Sequence, residues 1–292
     1  MYQFVKKHSP QYPVSILCEV IGVSRSAYYA HTAGQTYRPS TQKEQRQTVI
    51  KTLFVDHKRR YGSRRIVKAL RAKGERIGRD AVRKALVDNG LRAIQPRSFV
   101  PRTTDSRHQL GFSPNLLPTF GSPTAPNQVW VSDITYIMLA NGRWAYLTVW
   151  MDLWSRLVVG WHLAETMEDT LIITAVRRAV LGRQPGAGLI AHSDRGGQYA
   201  SKTFRRLLAQ YSCQQSMSRA DDPYDNRTGE PAFAESYWSR LKAELLEDGA
   251  FLSLDDARIE IGEYIDNYYN TIRLHSALGY LSPMQFETQP KG

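Results

Sequence analysis

Only two cysteines, Cys18 and Cys213, occur in the 292 residues. With no CxxC pair and no Cys/His spacing, they exclude a disulfide framework and a structural zinc site and point to a reducing compartment. Apolar runs are short, far below the roughly 20 residues of a membrane span. The stretch VSILCEVIGV resembles a signal-peptide core, but Glu19 interrupts it and no cleavage pattern follows. No tract is low in complexity, and no repeat recurs at a fixed period. GxSxG, a Walker loop and HExxH are all missing, which removes the chemistries those motifs carry. We therefore expect a soluble bacterial cytoplasmic protein with no membrane partner. Its 42% hydrophobic content suffices for a core, in one large domain or two to three smaller ones.

Acidic residues are scarce at the front. Residues 1–126 hold 23 Lys/Arg against 7 Asp/Glu, a net of +16, whereas residues 127–292 hold 16 against 20, a net of −4. So lopsided a distribution assigns a polyanion to the front and another task to the back. In PVSILCEVIGVSRSAYYAH, Ile16, Leu17, Val20 and Ile21 recur at helical spacing. Gly22 breaks that pattern, and Ser24 can N-cap a second helix carrying Ala27 and Tyr28. The segment RYGSRRIVKALRAKGERIGRDAVRKALVDNGLRA repeats the plan, with Ile66 and Leu70, a stop at Gly74, then Val82, Ala85 and Leu86 before Gly90. Both have a helix-turn-helix outline. In the second, Arg64, Arg65, Lys68, Arg71, Arg79, Arg83 and Lys84 fall on exposed positions suited to phosphates and a DNA groove. Double-stranded DNA is the expected partner, which implies association with the nucleoid.

The expected divisions are a helix-turn-helix-like module over 1–50, a second basic one over 51–95, an arm over 96–126 and a catalytic core over 127–292. The arm is rich in Pro, Ser, Thr and Gly, and Arg97, Arg102 and Arg107 suit it to a phosphate backbone. Beyond it the period switches to strands. VWVSDITYIML, an Asn141-Gly142 turn, RWAYLTVWMDL and RLVVGWHL read as an antiparallel meander. A helix with a Thr166/Asp169 capping box follows, then the buried strand GLIAHSD, a helix from Ser201 to about Tyr211, and the short strand CQQSMS. The tail reads as helices over about 233–247 and 253–273, the latter capped by Ser253 and Asp256. The expected fold class is α/β, a ribonuclease-H-like mixed sheet flanked by helices and preceded by small all-α modules.

Asp133 sits inside one of the most apolar strands, where a carboxylate costs several kcal/mol unless paired or metal-bound. It remains open at this point whether Asp133 faces solvent from an edge strand. Asp194 ends a buried strand just before Gly196 and Gly197, at the kind of strand end where ligands bind in α/β sheets. Asp152, closing a strand before LWSR, reads as a turn residue. Two such aspartates with an acidic residue opening a helix can hold two hard divalent ions, Mg²⁺ preferred and Mn²⁺ substituting.

Asp133 in VWVSDITYI, Asp194 in HSDRGGQY and Glu235 in AESYWSRLKAEL resemble the three signature stretches of bacterial insertion-sequence transposases. More narrowly, the chain is similar to the second-reading-frame transposase of the insertion sequence 3 family. YGSRRIVKALRAKG resembles that family's helix-turn-helix segment and YYNTIRLHSALGYLSPMQF its C-terminal signature. The resemblance covers nearly the whole chain. It implies a retroviral-integrase-like core and a DDE recombinase, which cleaves DNA at its element's ends and transfers the 3′-hydroxyl to target DNA. Asp133, Asp194 and the glutamate would carry two Mg²⁺, and Lys242 would contact a phosphate. The resemblance also implies a homo-oligomer on DNA and fusion to the product of the upstream reading frame. A DNA-end-binding repressor, catalytically inactive, is the alternative.

Two glutamates compete for the third place. The family's usual gap of 35 residues after the second aspartate leads from Asp194 to Glu230, whereas Glu235 lies at 40. Local chemistry favours Glu235. Glu230 precedes Pro231, which pushes it out of the helical region, while Pro231 suits the first turn of a helix. Phe233, Tyr237, Trp238, Leu241 and Leu245 then form an apolar stripe, and Lys242 stands two turns beyond Glu235. Removing RTGEP, residues 227–231, restores the gap of 35, so these residues read as an insertion before the catalytic helix.

Overall fold

A computed structural model describes residues 1–34, 41–95, 111–218, 231–246 and 249–289, apart from the side chains of residues 41, 42 and 231–236. The first unit is three short helices, α1 (Tyr2–His8), α2 (Val14–Ile21) and α3 (Arg25–Thr32). Gly22, at φ 69°, closes α2 as a left-handed cap. Ser24 takes the N-cap position of α3, but its side chain makes no capping hydrogen bond. Val5, Cys18 and Tyr28 form the small core, supplemented by half-buried Leu17 and Ile21. With α1 covering only one side, Ile16 and Val20 face outward.

The second unit comprises α4 (Thr41–Asp56), α5 (Ser63–Ala72) and α6 (Arg79–Asp88). Helix α4 has no counterpart in the sequence reading and runs unbroken through residue 50. It belongs with α5 and α6, because Ile50, Leu53 and Phe54 share one core with Ile66, Leu70, Val82 and Leu86. Gly74, at φ 85°, turns α5 away towards α6.

The remaining elements are α7 (Leu117–Phe120), β1 (Val129–Met138), β2 (Trp144–Asp152), β3 (Val158–Ala164), α8 (Asp169–Arg183), β4 (Ile190–Ser193), α9 (Lys202–Gln210), β5 (Gln214–Met217), α10 (Pro231–Leu246) and α11 (Leu254–Gly262). A π-helical stretch (Glu263–Tyr269), a 3₁₀ turn (Ser276–Leu278) and α12 (Pro283–Thr288) complete the chain. Among the described residues, no helix is long and apolar enough to cross a membrane.

The strands form one mixed sheet in the order β3-β2-β1-β4-β5. The first three make the expected antiparallel meander, and β4 and β5 run parallel to β1. This is the ribonuclease-H-like sheet. Helices α8 and α9 cover one face over Trp130, Trp150, Tyr199 and Phe204. Helices α10 and α11 and the π-helical stretch cover the other over Val131, Val149, Leu163 and Ile265. Gly160 lets β3 and α8 touch, since a Cβ there would lie 2.5 Å from the Ala175 carbonyl oxygen. The edge of β5 is sealed by the end of the arm, where Met217 N donates to Pro114 O and Leu116 N to Ser216 Oγ.

Local capping follows the sequence in part. Ser253 accepts from Asp256 N as expected, and Ser201, just before α9, caps that helix by accepting from Phe204 N. The Thr166/Asp169 box does not form, because α8 begins only at Asp169 with Glu168 as its N-cap. The preceding residue is held elsewhere: Met167 O accepts from Gln198 Nε2 at 2.9 Å.

The second helical unit docks on the end of the core. Tyr61 Oη donates to Ile272 O and accepts from Leu274 N, at 3.1 and 3.0 Å. Arg60 is buried, with its guanidinium 4.9 and 4.6 Å from the ring centres of Tyr264 and Tyr268, and its Nε donates to Glu244 O.

Candidate active site

The parallel pairing of β1 and β4 sets Val131 opposite His192. Asp133 continues along β1 and Asp194 follows directly on the last residue of β4, its parallel neighbour, and both carboxylates lie close enough to Tyr199 for their charges to act on it. Asp133 is half-buried on the face covered by α10. Its Oδ1 accepts from Ile134 N at 2.8 Å and its Oδ2 from Trp238 Nε1 at 3.0 Å. Asp194 Oδ1 accepts from Gly196 N at 3.0 Å, and a Cβ on Gly196 would crowd that oxygen to 3.1 Å. The glycine is thus needed for the turn that presents the carboxylate.

Beneath the pair lies a closed hydroxyl network. Ser132 Oγ is 2.8 Å from Tyr199 Oη and 3.3 Å from Thr148 Oγ1. Burial, reinforced by the negative charges of Asp194 and Asp133, holds the Tyr199 phenol protonated, well above its ordinary pKa. Lys242, half-buried on α10, lies near enough to feel Asp133. Burial lowers its pKa and the aspartate's charge opposes that shift. His192 is neutral, its pKa lowered to about 4 by burial, with Nδ1 2.9 Å from Ser216 Oγ. Asp152 is fully buried as a turn residue. Its carboxylate accepts from Asn127 N, Trp154 N, Ser155 N and Ser155 Oγ.

Residue 235 falls within α10, which Pro231 opens as expected, but the Glu235 side chain lies outside the described residues, as does Glu230 altogether. The arm arginines Arg97, Arg102 and Arg107 also lie outside them. Among the described residues, no third acidic, histidine or cysteine side chain joins Asp133 and Asp194. Of the basic residues in the second unit, Arg64, Lys68, Arg71, Arg79, Arg83 and Lys84 are exposed, and Lys68 Nζ sits 5.1 Å from the Tyr280 ring centre. Arg65 is turned inward. It is half-buried and donates through Nε to Leu274 O at 2.9 Å and through Nη1 to Arg60 O at 3.3 Å. Burial, with Arg273 nearby, lowers its pKa.

The sequence reading missed two features of α10. Trp238 was visible only as part of the apolar stripe, although a buried indole N–H requires an acceptor. Glu244 forms a buried bidentate pair with Arg273, with Nε at 3.0 Å and Nη2 at 2.5 Å, and also accepts from Tyr264 Oη at 2.9 Å. Burial pushes the Glu244 carboxyl up, but the hydrogen bonds and charge of Arg273 outweigh it, so its pKa lies below the ordinary value.

The integrase core domain family matches residues 123–223, a second integrase core domain family matches 211–283, and an HTH-like domain family matches 41–99. Transposase InsF for insertion sequence IS3A of Escherichia coli (strain K12) is 37% identical over 291 residues, covering 99% of this chain and 98% of that protein. The chain belongs to the IS3 family of transposases. The insertion element IS600 uncharacterized 31 kDa protein of Shigella sonnei is 38% identical over 270 residues, covering 92% of this chain and 97% of that one. The HTLV-2 integrase catalytic core domain in complex with magnesium aligns over 56% of this chain and 98% of its own, with 18% identity and a TM-score of 0.43.

In this IS3-family chain, the segment YYNTIRLHSALGYLSPMQF is a clamp. Asn270 mimics a strand, its Oδ1 accepting from Val158 N and its Nδ2 donating to Val158 O. Arg273 holds α10 through Glu244, and residues 272 and 274 hold the second helical unit through Tyr61. His275 is buried within the same turn, where its N donates to Leu281 O; burial and the surrounding arginines, led by Arg273, lower its pKa to about 2. Ser282 and Gln285 form a full capping box on α12.

Proposed function

We propose that this IS3-family transposase cleaves DNA at the 3′ ends of its element and joins those ends to target DNA, with Asp133, Asp194 and Glu235 holding two Mg²⁺ ions that Mn²⁺ can replace. The observation that carries this reading is that Asp133, on β1, and Asp194, directly after the parallel neighbour β4, both lie near Tyr199. Their oxygens form a hard donor set that fits a hard divalent cation. Bound there, the ions would activate a water or a 3′-hydroxyl and stabilise the leaving oxygen of a phosphodiester. Residue 235 stands three positions before Trp238, whose indole touches Asp133, and that spacing in a helix supports the choice of Glu235. Glu230 precedes the helix. Lys242, four residues beyond Trp238, is suited to hold a DNA phosphate beside the carboxylates.

Helices α5 and α6, with exposed Arg64, Lys68, Arg79, Arg83 and Lys84, would bind the element's terminal repeats. Arg65 would act at one remove, by keeping α5 on the core. Such a complex should weaken steeply with salt. Homo-oligomers on double-stranded DNA in the bacterial cytoplasm, joined with the upstream-frame product, complete the proposal.

The test is 3′-end cleavage and strand transfer on terminal-repeat DNA in Mg²⁺, comparing the unaltered chain with Glu230→Gln and Glu235→Gln. Loss of chemistry with retained DNA binding in Glu235→Gln alone is expected. Loss in Glu230→Gln alone would refute the choice of glutamate. An unaltered chain that binds DNA in EDTA yet never nicks it in Mg²⁺ or Mn²⁺ would favour an end-binding repressor.

A further inference from the structure

Trp238 is almost fully buried in the core between α10 and the sheet, edge-on to Tyr237 at 5.0 Å. Packing alone does not account for it. An indole has one donor, and here it reaches Asp133 Oδ2 at 3.0 Å. The other carboxylate oxygen is held by Ile134 N at 2.8 Å. Asp133 is therefore gripped from two directions, once by its own strand and once by the helix that carries residue 235 and Lys242. The same hydrogen bond sets the rotation of α10 against β1. One turn before it stands residue 235 and one turn after it Lys242.

We propose that Trp238 is a positioning residue for the metal centre: its indole N–H orients the Asp133 carboxylate and ties α10 to β1 beside it. This rests on the reading that Asp133 holds a divalent cation. Partners of ligating carboxylates change metal affinity by about 10- to 100-fold when removed.

The experiment titrates the full chain, free of DNA, with Mn²⁺ by calorimetry, comparing the unaltered protein, Trp238→Phe and Asp133→Asn. Phenylalanine keeps an aromatic ring in the core and removes the N–H. Trp238→Phe should bind Mn²⁺ about tenfold more weakly, keep its DNA affinity in EDTA, and regain cleavage when Mn²⁺ is raised about tenfold. A residue that only packs would lower the melting temperature and leave Mn²⁺ affinity unchanged, and that result would overturn the proposal. Mn²⁺ binding that survives Asp133→Asn would instead overturn the metal-site reading beneath it. A measurement on the unaltered chain covers the case in which Trp238→Phe fails to fold. Among its six indole N–H resonances, one must shift when Mg²⁺ is added and cease to shift in Asp133→Asn. If none does, the proposal is wrong.

Discussion

Replacing Glu244 by glutamine removes one charge and little else. Glu244 and Arg273 are 7% and 1% exposed at their side chains, so the loss leaves a guanidinium buried without its counter-charge, and Arg65 lies close by. Removing one partner of a buried pair costs roughly 3–5 kcal/mol. Glutamine keeps one oxygen for Arg273 or Tyr264, which puts Glu244→Gln near the lower end, about 3 kcal/mol. For a chain of this size that corresponds to a fall of about 6–12 °C in melting temperature. The pH dependence carries a sign. The pKa of Glu244 is depressed in the folded state, so its contribution is complete above the unfolded value of about 4.3 and disappears as pH falls through the folded value. Thermal melts of both proteins from pH 7 downward should show a constant gap to about pH 5 and a narrowing gap below about pH 4. Adding Arg273→Met to Glu244→Gln should recover part of the loss, because no lone charge is left buried. A gap below about 1 kcal/mol at pH 7, or one that stays constant into acid, would refute the reasoning.

Two further substitutions separate architecture from chemistry. Asp152→Asn should lower stability by about 2–4 kcal/mol, since an amide nitrogen would face the Asn127 N–H now 2.6 Å from Oδ2. It should leave Mn²⁺ affinity unchanged, and calorimetric loss of Mn²⁺ binding with an unaltered melt would reverse the turn assignment. Gly160→Ala should cost about 1–3 kcal/mol, read as a fall in urea midpoint. The new methyl would meet the backbone of α8, at Ala175 O and Ala179 N, with no flexible side chain to yield. An unchanged midpoint would mean that β3 and α8 separate without penalty.

The sheet was largely legible because its signals are local. Runs of β-branched and aromatic residues, the Asn141-Gly142 turn and the glycines after Asp194 specify strands, a hairpin and a strand end within a few residues of each. Helix α4 escaped notice because its first two turns, TQKEQRQ, carry no apolar stripe and only its last turns reach the core. Arg65 could not be told from Arg64 in sequence, since both stand in one basic run. The acceptor that separates them, Leu274 O, lies 209 residues away. Helix α8 starts where contacts of Met167 allow rather than where Thr166 offers a cap. Of the site itself, Asp133 and Asp194 stood out as carboxylates among apolar residues. Trp238 did not, because a stripe of apolar residues conceals which member also uses a hydrogen-bond donor.

The docking of the second helical unit has a temporal side. Tyr61 meets residues that are 211 and 213 positions later in the chain. At roughly 5–20 residues per second of synthesis, its partners emerge some ten to forty seconds after it does. Until then the unit has its own core but nothing for Tyr61 to grip, and α10 lacks the arginine that neutralises Glu244. Any product that stops before residue 264 keeps the basic helices and both aspartates, yet lacks the Tyr61 contacts and both rings on which Arg60 packs. Assembly of the two halves is thus gated by translation of the last tenth of the chain.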